Sequence, residues 1–158
     1  MSTPNTSAVR SVVDTAMDDL VDRIREEAKF RGKVASGRTL ASLRTTVLAS
    51  DTFLVATLSG ADNWRYWGNG RGPGRMPPVG PLARWIANKG LSMSAWALAK
   101  RIQKDGTRDY RLGRPNLVME SITAWQEGEP FKAVGPSAMK AYGEASVQEV
   151  KTRLKEAA

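Results

Sequence analysis

From Ala8 to Phe30 the apolar residues recur at helical spacing: Val9, Val12, Val13, Ala16, Met17, Leu20, Val21, Ile24 and Ala28. Asp14, Asp18, Asp22, Arg25 and Lys29 lie mostly off that stripe. A recurrence every three to four residues places side chains on one helix face, so the pattern predicts an amphipathic helix over residues 8–30 that ends at Gly32. Beyond the polar stretch Lys33–Thr39 the period changes. Leu43–Leu48 and Phe53–Leu58 are strand-length runs rich in β-branched residues, joined by Ala49-Ser50-Asp51-Thr52, which predicts an antiparallel hairpin. Trp64, Tyr66 and Trp67 are the candidates for a third strand. Val13, Met17, Leu20 and Ile24 are expected to pack against the hairpin and Trp85.

The pattern then stops. From Gly68 to Pro81, nine of fourteen residues are Gly or Pro, and no regular element survives that composition. A loop this long inside a compact domain is usually functional or disordered. Order returns at Pro81, a favoured first helical residue, with Leu82, Trp85 and Ile86 on one face and Gly90 as the stop. Ser94 is placed to cap a second helix that runs to about Lys104, with Leu98 and Ile102 inward and Gly106 beyond its end. Asn116–Gln126 reads as a third short helix through Leu117, Val118, Ile122 and Trp125. Pro136 opens a last helix in which Met139, Val147, Val150 and Leu154 recur.

These elements add up to an α+β fold: a long N-terminal helix packed on a small antiparallel sheet, followed by short helices and a C-terminal helix. Residues 1–7 read as a disordered leader. Residues 8–133 read as a single domain carrying the extended loop 68–80, and residues 134–158 as the C-terminal helix.

Composition narrows the chemistry. With no cysteine among its 158 residues, the chain has no disulfide, thiolate nucleophile or cysteine-bound zinc. With no histidine, it lacks the usual general base near neutral pH and the commonest metal ligand. The expectation is therefore no enzyme, no cofactor and no metal. No apolar run approaches the roughly 20 residues that span a bilayer, and the polar N-terminus lacks the order of a signal peptide.

Charge singles out the middle of the chain. Of the net +8, residues 65–114 hold 11 basic and 2 acidic side chains, whereas residues 1–64 are balanced at 8 of each. The partner of the middle stretch should be acidic. Lys100, Arg101, Lys104, Arg108 and Arg111 are assigned to an exposed surface facing DNA or an acidic protein.

The glycines fail as a dinucleotide fingerprint, because Pro73 or Arg75 stands at the third glycine position, and no Gly-Lys-Ser/Thr occurs. Asp18, Asp19 and Asp22 fit the solvated face of a helix better than a paired-carboxylate site. Trp64, Tyr66 and Trp67 interleave with Arg65, Arg71 and Arg75, which suits a protein interface, a core, or single-stranded nucleic acid. The helices 81–89 and 94–104 resemble a helix-turn-helix only superficially. The N-terminal end of the second is the apolar Ala95-Trp96-Ala97-Leu98 rather than a set of base-reading polar side chains.

The run Gly74-Arg75-Met76-Pro77-Pro78-Val79, then Leu82-Ala83-Arg84-Trp85-Ile86 and Lys89-Gly90-Leu91, is similar to one in bacteriophage neck proteins. Ala95-Trp96-Ala97-Leu98-Ala99-Lys100-Arg101-Ile102 and Asp105-Gly106-Thr107 continue it. Ser36-Gly37-Arg38-Thr39-Leu40 and Ser42-Leu43 match the family's lead into its hairpin. In these respects the chain resembles the head–tail connector or tail-completion (minor tail) proteins of tailed phages. It departs from them at Tyr66-Trp67-Gly68-Asn69-Gly70, where the family often has an aromatic–Glu–Gly–Thr step.

The resemblance implies a structural virion protein without catalytic activity. Its subunits would close into a cyclic homo-oligomer, a hexamer or dodecamer, that joins the DNA-filled head to the tail. Adjacent neck, portal-adaptor or tail-terminator proteins would be its partners, with non-specific contact to packaged DNA and none to membrane. It would reside in the host cytoplasm during assembly and in the virion afterwards. Trp64, Tyr66, Trp67, Arg71, Arg75 and Met76 would then make intersubunit contacts through the extended loop. The other readings are a tail-terminator ring subunit, a DNA-binding regulator using residues 65–114, and a small toxin-like or hydrolytic enzyme.

Overall fold

The computed structural model describes residues 4–50 and 53–156. It is an α+β fold with a long N-terminal helix, a small antiparallel sheet, short helices and a long C-terminal helix. Helix α1 spans Pro4–Phe30, so it starts four residues before the predicted Ala8. Residues 4–7, assigned to a disordered leader, are helical, since proline is tolerated in the first turn, where its missing N–H has no helical acceptor; the rest of that leader lies outside the described residues. At the other end, Gly32 N–H bonds Lys29 O and Lys33 N–H bonds Ala28 O, which closes the helix where the sequence predicts.

Helix α2, Arg38–Ser42, is a single short turn that begins at the end of the polar stretch and runs to just before the hairpin. Strands β1, Arg44–Ala49, and β2, Leu54–Ser59, pair antiparallel in the register Val47↔Ala56 and Leu48↔Val55. The hairpin thus falls where the two strand-length runs place it, although the connector residues Asp51 and Thr52 lie outside the described residues. The expected third strand is instead a 3₁₀ turn, Asp62–Trp67. Trp64 N–H bonds Ala61 O within that turn, so its backbone is satisfied locally rather than by a strand.

The remaining elements are α3 (Val79–Asn88), α4 (Ala95–Asp105), α5 (Arg108–Arg111), α6 (Leu117–Glu127), α7 (Glu129–Lys132) and α8 (Val134–Glu156). Ser94 Oγ caps α4 by accepting from Ala97 N–H at 3.3 Å. Asn116 Oδ1 caps α6 by accepting from the N–H groups of Val118 and Met119 at 3.0 and 3.2 Å. Both caps satisfy donors that a helix start leaves unpaired. Helix α8 begins two residues before Pro136, which sits in its first turn.

The chain falls into two units. The first holds α1 up to Arg23, the hairpin, and the chain from Ile122 on. Its buried residues include Met17, Leu20, Val21, Leu43, Val47 and Trp125. Thr45 Oγ1 on β1 donates to Asp18 on α1, and the Trp125 and Phe131 rings lie 4.7 Å apart. The second unit holds Ile24–Ser42 and Gly60–Ser121. Its core is Ile24, Ala28, Trp67, Ile86, Ala99, Ile102 and Leu117. Of the four α1 residues expected in the core, Met17, Leu20 and Ile24 are buried and Val13 is half-buried. Trp85, named as their partner, is exposed. The chain passes between the units four times. Two passages fall inside helices, after Arg23 in α1 and after Ser121 in α6, where the hydrophobic pattern carries no mark of them, and two flank the hairpin, after Ser42 and Ser59.

Candidate functional site: a clasped loop and a cationic helix face

The second unit carries 16 Lys and Arg side chains against 6 Asp and Glu, whereas the first carries 8 against 10. The positive field of the molecule therefore belongs to the unit that contains the glycine-rich loop.

That loop is not a free arm. Between Gly68 and Pro78 it has no regular structure, but its backbone is bonded to the last turn of α4 and the segment that follows it. Arg71 N–H donates to Thr107 Oγ1 at 2.9 Å, and Thr107 N–H donates back to Arg71 O at 2.8 Å. Gly74 N–H donates to Gln103 O at 2.8 Å. The Arg71 guanidinium turns back to Arg75 O at 2.9 Å. Glycine and proline exclude helix and strand from this extended loop, yet its non-proline residues, Arg71 and Gly74 among them, keep backbone N–H groups that pair with another segment of the same chain.

Two glycines make the close approach possible. A Cβ on Gly70 would run into Thr107 Oγ1 and stand 2.9 Å from Tyr110 N. A Cβ on Gly106 would stand 2.9 Å from Arg71 O and from the Tyr110 ring. Gly106 also ends α4 at φ 76°, ψ −179°, a region open essentially to glycine alone. These glycines serve backbone packing rather than phosphate binding.

A half-buried polar network supports the clasp from below. Lys33 pairs with Asp109, which also meets Arg114 Nη1 at 3.5 Å. Burial, together with the positive charges of Arg114 and Arg31, pushes the Lys33 ammonium below its ordinary value. Arg31 bonds Glu27 at 2.5 Å, Pro115 O at 3.3 Å, and Glu120. Lys89 Nζ donates to Gly32 O at 2.8 Å. Sequence reasoning missed this network, because its members are spread from residue 27 to residue 120 and only the fold brings them together.

The residues assigned to an intersubunit contact separate in the structure. Trp67 is 7% exposed and belongs to the core of its own unit. Trp64, Arg71 and Met76 are half-buried, while Tyr66 and Arg75 are exposed. The five cations assigned to a surface are all exposed: Lys100, Arg101 and Lys104 on α4, Arg108 and Arg111 on α5. Among the described residues none of them has an acidic partner within ion-pair distance, in contrast to Arg31 and Lys33. Lys100 Nζ instead lies 4.0 Å from the centre of the Trp96 ring, a cation–π contact on the same helix. Trp96, Tyr110 and Leu112 are also largely exposed. The N-terminal turn of α4, Ala95-Trp96-Ala97-Leu98, is apolar, so the polar character of the helix lies in its later cations.

Among the described residues no helix is long and apolar enough to cross a membrane. No family model, curated protein or solved structure matches the chain.

Proposed function

We propose that the chain is a structural subunit of a tailed-phage neck, a head–tail connector or tail-completion protein that acts in a ring and has no catalytic role. One observation carries this reading. The residues that resemble neck proteins, 74–107, fold within one unit, are tied together by Gly74 and Gln103, and present the unpaired cationic face. Such a face would hold DNA without regard to base sequence, because each neutralised phosphate releases counterions.

In this reading the clasp holds the shape of the module, and Tyr66, Arg75, Met76 and Trp64 on its outer side make the contacts between subunits. Lys100, Arg101, Lys104, Arg108 and Arg111 face DNA or an acidic neighbouring ring. A head-to-tail contact closes into a ring when its rotation fits.

Negative-stain imaging and light scattering of the purified chain test the ring directly. Closed cyclic particles are expected; a chain with no cyclic form at any salt concentration sinks the proposal. The cationic face is tested separately by the salt dependence of duplex binding. Neutralising Lys100, Arg101 and Lys104 should reduce the slope of log K against log salt by about 3. An unchanged slope removes DNA and leaves an acidic protein as the partner.

A further inference from the structure

Helix α8 has two apolar sides. Val134, Ala138, Ala141 and Ala145 are half-buried and form its inner side. Roughly half a turn away, at 100° per residue, Gly143, Val147, Val150 and Leu154 form a second stripe. Val147, Val150 and Leu154 are 55%, 57% and 66% exposed. The sequence shows Val147, Val150 and Leu154 recurring along this helix; the structure turns them to solvent, because the alanines occupy the inner side. A helix that is apolar on opposite sides is normally buried on both.

We infer that this stripe is the seam of a homodimer, in which α8 of one chain packs antiparallel against α8 of a second copy. The spacing 143, 147, 150, 154 alternates four and three residues, the a/d repeat of a two-helix seam. Placed antiparallel about a dyad between residues 147 and 150, Val147 faces the Val150 position of the second copy. Gly143 then faces the Leu154 position, so the largest side chain of the stripe meets the smallest. The same register brings Glu144 beside Lys151 of the other chain, twice by symmetry, at the flanking positions where charges set orientation. A parallel pairing would instead set Glu144 beside Met139 and Lys151 beside Ser146 of the second copy, with no charge complement for either. Self-complementarity of both shape and charge is what points to a second copy rather than to another partner.

The contact is isologous, so it is distinct from the head-to-tail contacts of a closed ring and does not depend on the proposed function. It spans residues 143–154, about 16 Å of helix at 1.5 Å per residue, which makes a small and reversible interface.

The test uses the full chain, whose lack of cysteine makes engineered thiols unambiguous. In the double variant Val147→Cys and Val150→Cys, mild oxidation should give covalent dimers in which position 147 of one chain is joined to position 150 of the other. Peptide mapping of the dimer reads this in any larger assembly. Disulfides joining like positions would overturn the antiparallel register, and failure to form covalent dimers would overturn the seam. A second arm uses sedimentation across a concentration series. Lys151→Glu should weaken dimerisation roughly three- to tenfold, as expected for exposed ion pairs, and adding Glu144→Lys should restore it. Equal affinity in all three proteins, or a native chain that stays monomeric throughout, contradicts the proposal. All four substituted positions are exposed, so folding should be unaffected, which circular dichroism confirms or denies.

Discussion

The loop 68–78 and helix α8 reverse the usual relation between local regularity and a settled environment. The loop has no repeating backbone pattern, yet Arg71, Gly74, Gln103 and Thr107 bond it to its own unit. Helix α8 satisfies its backbone turn by turn over 23 residues, yet leaves Val147, Val150 and Leu154 in water. Regular structure accounts for hydrogen bonds, whereas burial of side chains depends on what lies alongside. A segment rich in glycine can therefore be finished within one chain, and a regular helix can remain unfinished until it meets a second.

The sharpest way to break the comparison is at Gly106. Gly106→Val puts a branched side chain against Arg71 O and forces φ into a region closed to it. The expected loss is about 3 kcal/mol or more, from the strain of that region and the broken clasp. Urea denaturation measures it, and a loss below about 1 kcal/mol would mean the loop is only lightly held. Deletion of residues 70–75 should likewise impair folding, opposite to what a free arm would show.

Asp109→Asn acts on the support beneath the clasp. It leaves Lys33 half-buried without its counter-charge, and a loss of about 1–3 kcal/mol at neutral pH is expected. The pH dependence gives a second readout. Because burial lowers the Lys33 pKa, the folded chain releases that proton before the unfolded chain does. The unfolded state then binds more protons, so this group's contribution to stability rises with pH through the window below the ordinary value of 10.5. Without Asp109 the rise should be larger and begin at lower pH. A denaturation series from neutral to alkaline pH would expose a flat profile if Lys33 were already well solvated.

Val150→Ser should do almost nothing to the monomer. The residue is 57% exposed, and valine and serine differ little in helix propensity, so a change within about 0.5 kcal/mol is expected. Association should weaken all the same. A substantial loss of monomer stability would place Val150 in a core instead of on a free face.

Much of this fold is legible in the residues. The stripe from Val9 to Ala28, the β-branched runs Leu43–Leu48 and Phe53–Leu58, and the cap at Ser94 are local signals, and the elements form where those signals lie. The third strand expected at Trp64–Trp67 fails because aromatic content alone does not distinguish a strand from a 3₁₀ turn that buries Trp67. The short helices α2, α5 and α7 are too brief to show a period. The clasp was illegible for a different reason: glycine content says that a backbone can approach another segment, but the identity of that segment, Gln103–Tyr110, is tertiary information. The five cations were legible as exposed, since unpaired charge seldom leaves water. The outward stripe on α8 was not, because periodicity gives a face its apolar character and says nothing about which face the rest of the chain covers.

Amide hydrogen exchange on the intact chain, followed by mass spectrometry at low and high protein concentration, tests both halves of this contrast in one experiment. The amides of Arg71, Gly74 and Thr107 should exchange slowly at both concentrations, in step with α4, while residues 143–154 gain protection only as concentration rises. Exchange of Arg71 and Gly74 at the rate of an unstructured peptide, with α8 unaffected by concentration, would contradict it.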